Sequence, residues 1–324
     1  MPFRASFDCL WCGAPYRAAR PDDLEGWAQL CPACLGRAGE NPFLRFRLRA
    51  AMDERARSHG SAPASAGSSV ADLPPAAAPA SVAGADGADD PEAAELVAYY
   101  QARASEYDDR YLRRGRYDRG PISTVAWQAD LDEATRWLDG LPWAGRIVEL
   151  AAGTGWWSPI LASRGELWCF DAATAPLERA RERLLAHGLR AHLHVRDAWA
   201  EPDGPADGLF TGFWLSHVRP ERLPAFLSLA RRWLRPAGRY AFIDSRPDPE
   251  SGPVDQDAPD PTGRSTRRLD DGRTFRIPKL YHEPAGLAKA LQEAGFIDVD
   301  IRTTGRFFLL GQATAGASPG APPP

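Results

Sequence analysis

The stretch from Arg146 to Ser158 constrains the fold more than any other part of this chain. Ile147, Val148, Leu150 and Ala151 form an apolar run suited to a strand buried on both faces. Glu149 interrupts the run, Gly153-Thr154-Gly155 follows at once, and Trp156, Trp157 and Ser158 open a helix. Two glycines between a parallel strand and a helix let the backbone turn and approach a ligand with no Cβ in the way. A nicotinamide-binding loop would read Gly-x-Gly-x-x-Gly, but Ser158 holds the third position and an acid lies four residues before the first glycine. A strand, loop and helix of this kind imply an α/β domain with a parallel sheet.

The following residues continue the alternation. Leu167 to Phe170 is a short apolar strand ending in Asp171, sixteen residues after Gly155. A carboxylate at the end of the second strand of a βαβ unit can accept hydrogen bonds from two ribose hydroxyls, so Asp171 favours an adenosine ligand without choosing between NAD and S-adenosylmethionine. Ala191 to Val195 reads as a third strand, followed by Asp197-Ala198-Trp199. A fourth is expected over Gly208 to Val218, with Phe213, Trp214 and His217 at its carboxyl end, and a fifth over Gly238 to Asp244. Asp271-Gly272 between strand-like arms predicts a hairpin over Arg267 to Phe275. A helix from Pro284 to Ala294 and strands over Ile297 to Thr303 and Arg306 to Gly311 close the domain.

The Glu149 loop, Asp171 and Asp197, in this order and spacing, resemble the motifs of class I S-adenosylmethionine-dependent methyltransferases. The likeness runs from about Glu92 to Ala313. It implies a Rossmann-like, seven-stranded, mostly parallel sheet with an antiparallel last strand and helices on both faces. It also implies S-adenosyl-L-methionine as cofactor. Carried over by position, it assigns cofactor contacts to Glu149, Ala151, Gly153, Thr154 and Gly155 in the loop, and to Asp171 and Ala172 at the ribose. Asp197 would meet the adenine amino group, with Ala198 and Trp199 along the ring, and Trp214 would lie nearby. A Tyr-x-x-Arg-Ala segment is similar to one that covers the cofactor's methionine end in the family, which nominates Tyr100. In the sequence itself Tyr100, Arg103 and Tyr107 would share one face of a helix over Glu92 to Arg114.

At the N-terminus Cys9, Cys12, Cys31 and Cys34 form Cys-x2-Cys, eighteen residues, Cys-x2-Cys. Without an export signal, that spacing favours a metal over disulfides, and four thiolates suit a closed, structural Zn²⁺ site resembling a zinc ribbon. Metal binding would supply most of that segment's folding free energy. The expected organisation is a ribbon with a trailing helix over 1–57, an Ala/Gly/Ser/Pro linker over 58–91, the enzymatic domain over 92–314 and a disordered tail over 315–324. The formal charge is −4, and lysine occurs only at Lys279 and Lys289, so the arginines read as codon bias rather than a nucleic-acid surface. No apolar run is long enough to span a bilayer, and a cytoplasmic protein is expected.

A sulfonium methyl group needs chiefly in-line alignment with its nucleophile, and a base only where the nucleophile's pKa is high. His217 is the first candidate base, with Tyr281 and His282 behind it. The leading reading is O- or N-directed methyl transfer to a small molecule. The alternatives are an RNA or protein substrate delivered by the ribbon, a non-catalytic cofactor-binding scaffold, or an NAD oxidoreductase. A protein partner would dock on the ribbon. Trp156, Trp157, Trp199 and Trp214 read equally as an aromatic or lipophilic acceptor surround and as core, and Cys169 reads as core.

Overall fold

A computed structural model describes residues 6–8, 15–17 and 90–317. The chain divides into two units, 1–80 and 81–324. In the first, the described residues are two antiparallel strands, β1 (Ser6–Asp8) and β2 (Pro15–Arg17). Cys9, Cys12, Cys31 and Cys34, and residues 58–89 and 318–324 of the expected linker and tail, lie outside the described residues, whereas Asp90 and Pro91 cap and open the first helix and Ala315 ends the last strand.

The second unit is built on a seven-stranded sheet of order β10-β11-β7-β6-β3-β4-β5. Its strands are β3 (Arg146–Leu150), β4 (Glu166–Asp171), β5 (His192–Val195), β6 (Ala206–Gly212), β7 (Leu234–Ser245), β10 (Phe296–Thr303) and β11 (Phe308–Ala315). β7, β6, β3, β4 and β5 pair in parallel, while β11 runs antiparallel to both β7 and β10. This is the Rossmann-like architecture the motifs implied. The strand order reverses between β3 and β6, so their carboxyl ends flank the crevice where ligands of open α/β sheets bind.

Helices α1 (Pro91–Arg103), α2 (Asp109–Leu112), α3 (Gly120–Asp139), α4 (Ser158–Ala162), α5 (Thr174–Ala186), α6 (Leu223–Trp233) and α7 (Pro284–Glu293) surround the sheet. The face expected of α3 is buried as read, with Trp127, Leu131, Ala134 and Leu138 all inaccessible. Trp127 packs edge-on against Phe308 of β11. Phe226, Leu227 and Trp233 of α6 join Val148, Leu150 and Phe242 in the main core. A separate hairpin, β8 (Arg264–Arg268) and β9 (Thr274–Pro278), turns through Asp271-Gly272 as expected.

Three element boundaries differ from the sequence reading. The helix carrying Tyr100 stops at Arg103, and Tyr107 lies beyond it, before α2. The fourth strand stops at Gly212: Phe213 takes φ 57°, and Leu215–His217 form a 3₁₀ turn that no strand-like sequence could announce. β7 starts at Leu234, directly out of α6, because Leu234 is extended and ends the helix.

Candidate functional site

β3 carries its side chains to two different environments. Val148 and Leu150 enter the main core, whereas Glu149 faces the other way beside Cys169, its register partner on β4. The Ser158 hydroxyl donates to the Glu149 carboxylate at 2.5 Å. Burial raises the Glu149 pKa to about 7 against the effect of that bond. Glu149 therefore ties the strand to the start of α4, behind the glycine loop.

The loop itself is conformationally demanding. Ala151 (φ 52°), Gly153 (φ 55°) and Gly155 (φ 68°) all occupy left-handed backbone. A Cβ on Gly153 would lie 3.1 Å from the Tyr107 hydroxyl, and one on Gly155 2.7 Å from the Ala180 methyl of α5. Gly155 thus supplies the close helix packing that a third glycine gives in a nicotinamide loop. The Thr154 hydroxyl donates to Asp108 at 2.7 Å, which also pairs with Arg183, and so anchors the loop to the segment after α1.

Above the loop lies an open cavity of about 880 Å³. Tyr100, Ala151, Gly153, Asp171, Ala172, Asp197, Ala198, Trp199 and Trp214 all line it, as does His217. Glu149, Thr154 and Gly155 are absent from its wall and act on the loop from behind. The Asp171 carboxylate accepts the Gly153 and Ala173 backbone N–H groups, each at 2.8 Å. Burial nevertheless raises its pKa to about 6. Asp197 is exposed and caps its own turn by accepting the Trp199 N–H at 2.8 Å. The buried Trp214 indole N–H has no hydrogen-bond partner among the described residues.

α1 roofs this cavity. Its Glu92 carboxylate accepts from Arg219 of the segment after β6 and from Arg264 of the hairpin, each Nε at 2.9 Å, and both arginines lower its pKa. Asp90, capping α1, pairs with Arg222 at 3.0 Å.

A second open cavity, of about 1010 Å³, adjoins the first, and Tyr100 and His217 belong to both walls. The Tyr100 hydroxyl lies 2.7 Å from His217 Nε2, and His217 Nδ1 lies 2.6 Å from the Pro278 carbonyl. Because a carbonyl only accepts, Nδ1 carries the proton and Nε2 accepts from Tyr100. Burial, aided by the Lys279 charge, drops the His217 pKa to about 3. Tyr281 lines the second cavity, and burial raises its pKa. His282 lies outside both walls, 2.8 Å from the Leu215 carbonyl.

Of the four tryptophans the sequence singled out, two are core residues and two line a cavity. Trp156 and Trp157 are buried outside both cavities, Trp156 stacked on Tyr111 at 4.1 Å, and Trp199 and Trp214 line the first cavity alone. The second is walled by Arg103, Arg110, Arg267 and Lys279, of which the sequence singled out only Arg103, in the Tyr-x-x-Arg-Ala segment. They come from two stretches far apart in the chain, Arg103 with Arg110 and Arg267 with Lys279, and no local spacing joins the two.

A family model described as a methyltransferase domain matches residues 147–238. Two solved structures of DhpI align over nearly all of that protein. One, a complex with SAH, is 27% identical with a TM-score of 0.53 and covers 69% of this chain and 97% of that one. The other, a complex with SAM and HEP, is 28% identical with a TM-score of 0.54 and covers 68% and 97%. No curated protein matches the chain. Fold, loop and domain match together are similar to those of class I methyltransferases. They support an S-adenosylmethionine-dependent methyltransferase.

Proposed function

We propose that the protein methylates a small-molecule acceptor, on oxygen or nitrogen, with S-adenosyl-L-methionine in the first cavity and the acceptor in the second. The observation that carries this reading is the shared wall of Tyr100 and His217 between two cavities. The first cavity fits the cofactor in its donor set. Asp171 has carboxylate lone pairs left for ribose hydroxyls, Gly153 leaves room where a Cβ would crowd Tyr107, and the Trp214 N–H awaits an acceptor. In this reading Asp197 meets the adenine edge, with Ala198 and Trp199 along its face. The similarity to DhpI, seen with SAH and with SAM and HEP, supports the same cofactor.

Bound S-adenosylmethionine supplies an electrophilic methyl group. The chain's part is alignment and exclusion of water: α1 roofs the cofactor, and the Tyr100–His217 pair shapes the passage between cavities. With Nε2 occupied and a pKa near 3, His217 serves as a positioning residue that orients Tyr100, and an acceptor that arrives deprotonated needs no base. Outside this unit, the cysteine spacing supports a structural Zn²⁺ held by Cys9, Cys12, Cys31 and Cys34.

Calorimetric titration with S-adenosylhomocysteine and, separately, NAD tests the cofactor assignment. Micromolar binding of the first alone, weakened at least tenfold in Asp171→Ala, is expected. Binding of NAD instead, or of neither, would overturn it.

A further inference from the structure

The second cavity holds a concentration of positive charge that the protein neutralises only in part. Arg103, Arg110 and Lys279 are held by neutral hydroxyls. Arg103 donates to the Tyr117 hydroxyl at 2.7 Å and Arg110 to Ser245 Oγ at 2.8 Å. Lys279 donates to the same Ser245 Oγ at 3.0 Å and to Ser216 Oγ at 2.8 Å, so two cations converge on one hydroxyl. The Arg267 side chain, half-buried, has neither hydrogen bond nor ion pair among the described residues.

Carboxylates offset only part of this charge. Asp244, whose oxygens accept the Ser216 and Ser245 backbone N–H groups, pairs with Lys279 at 3.9 Å, one negative charge beside four cations. Asp248 is taken up by Arg306 at 2.9 Å, and Asp257 is exposed. Elsewhere in the unit arginines do find acids, as Arg146 does in Asp203 and Arg219 in Glu92. Burial, with a smaller contribution from the three neighbouring arginines, presses the Lys279 pKa down to about 7 although Asp244 opposes the shift. Cations fixed in place, largely desolvated and outnumbering their counter-charges are the makings of an anion site.

The geometry points to an oxyanion site: the cavity takes an acceptor bearing a carboxylate or phosphoryl group, gripped by Arg103, Arg110, Arg267 and Lys279 beside the Tyr100–His217 wall. Arg103 lies one helical turn from Tyr100, and Lys279 follows Pro278, whose carbonyl holds His217. The anion therefore docks next to the passage that the cofactor's methyl group would face. This identification of the acceptor class rests on the cavity assignment made above.

The test titrates the full-length protein, saturated with S-adenosylhomocysteine, with phenyl phosphate, benzoate and uncharged benzamide at constant ionic strength. At least one anion is expected to bind and benzamide not; which anion binds tells phosphoryl from carboxylate. Arg267→Ala should weaken that anion by an order of magnitude or more, a charged hydrogen bond being removed, while Arg267→Lys should keep most of the affinity. Arg302→Ala, a charge loss on β10 outside the cavity, should leave it unchanged. S-adenosylhomocysteine affinity should stay constant in all three variants. Anions binding no better than benzamide, or equally well to Arg267→Ala, would overturn the proposal. If S-adenosylhomocysteine itself fails to bind, the cofactor reading falls, and the same anion titrations on the free protein still decide this one.

Discussion

Glu149→Gln separates a structural role for the motif's acid from a ligand-binding one. In the folded protein burial raises the Glu149 pKa from 4.5 to about 7. A shift of this size corresponds to about 3 kcal/mol of destabilisation of the ionised form, at about 1.4 kcal/mol per pKa unit. The sign follows from proton linkage. Between pH 4.5 and about 7 the folded state holds a proton that the unfolded state has lost, so stability falls as pH rises through this window and is lowest above it. A glutamine amide cannot ionise and escapes that loss, but it weakens the bond accepted from Ser158, costing about 1 kcal/mol. The net expectation is a gain of about 2 kcal/mol at pH 8, or on the order of 5 °C in melting temperature, with no gain at pH 4. Because Glu149 is absent from the cavity wall, S-adenosylhomocysteine affinity should change less than threefold. Thermal melts of both proteins from pH 4 to 8, with calorimetry at pH 8, provide the check. A folded variant that loses affinity tenfold or more, or is less stable at pH 8, would refute the reasoning.

Three further outcomes follow from the structure. Ribose hydroxyls donating to Asp171 favour its ionised form, so S-adenosylhomocysteine should bind more tightly as pH rises through about 6 and should release protons below it; calorimetry in buffers of different ionisation enthalpy measures both. Gly311→Ala would set a methyl carbon 2.0 Å from the Phe242 ring, across the β7–β11 pairing, and should cost about 1–3 kcal/mol or more in chemical denaturation. If Cys9, Cys12, Cys31 and Cys34 hold zinc, the purified chain carries one equivalent by metal analysis, and Cys31→Ser lowers that occupancy.

The parts legible in the sequence are those in which local chemistry and tertiary role coincide. The apolar run before Gly153, the acid ending β4, the Asp271-Gly272 turn and the buried stripe of α3 each carry their signal within a short window. Nine of the twelve residues nominated for the cofactor line one cavity, because the turn geometry after parallel strands brings strand ends together. What escaped notice depends on packing. Phe213 leaves the strand in left-handed backbone, a conformation its side chain disfavours and its surroundings impose. The cationic cavity joins Arg103 and Arg110 from the chain around α1 and α2 to Arg267 and Lys279 from the hairpin region. A high arginine content disguised them, since composition says nothing about which guanidinium faces an acid and which a neutral hydroxyl.

The most direct measurement is a crystal structure of the protein soaked with S-adenosylhomocysteine. The account predicts ribose hydroxyls on Asp171, adenine beside Asp197 and Ala198, and the sulfur facing Tyr100 and His217 toward the arginine-lined cavity. A ligand whose sulfur points away from that wall, or that occupies the second cavity instead, would contradict it.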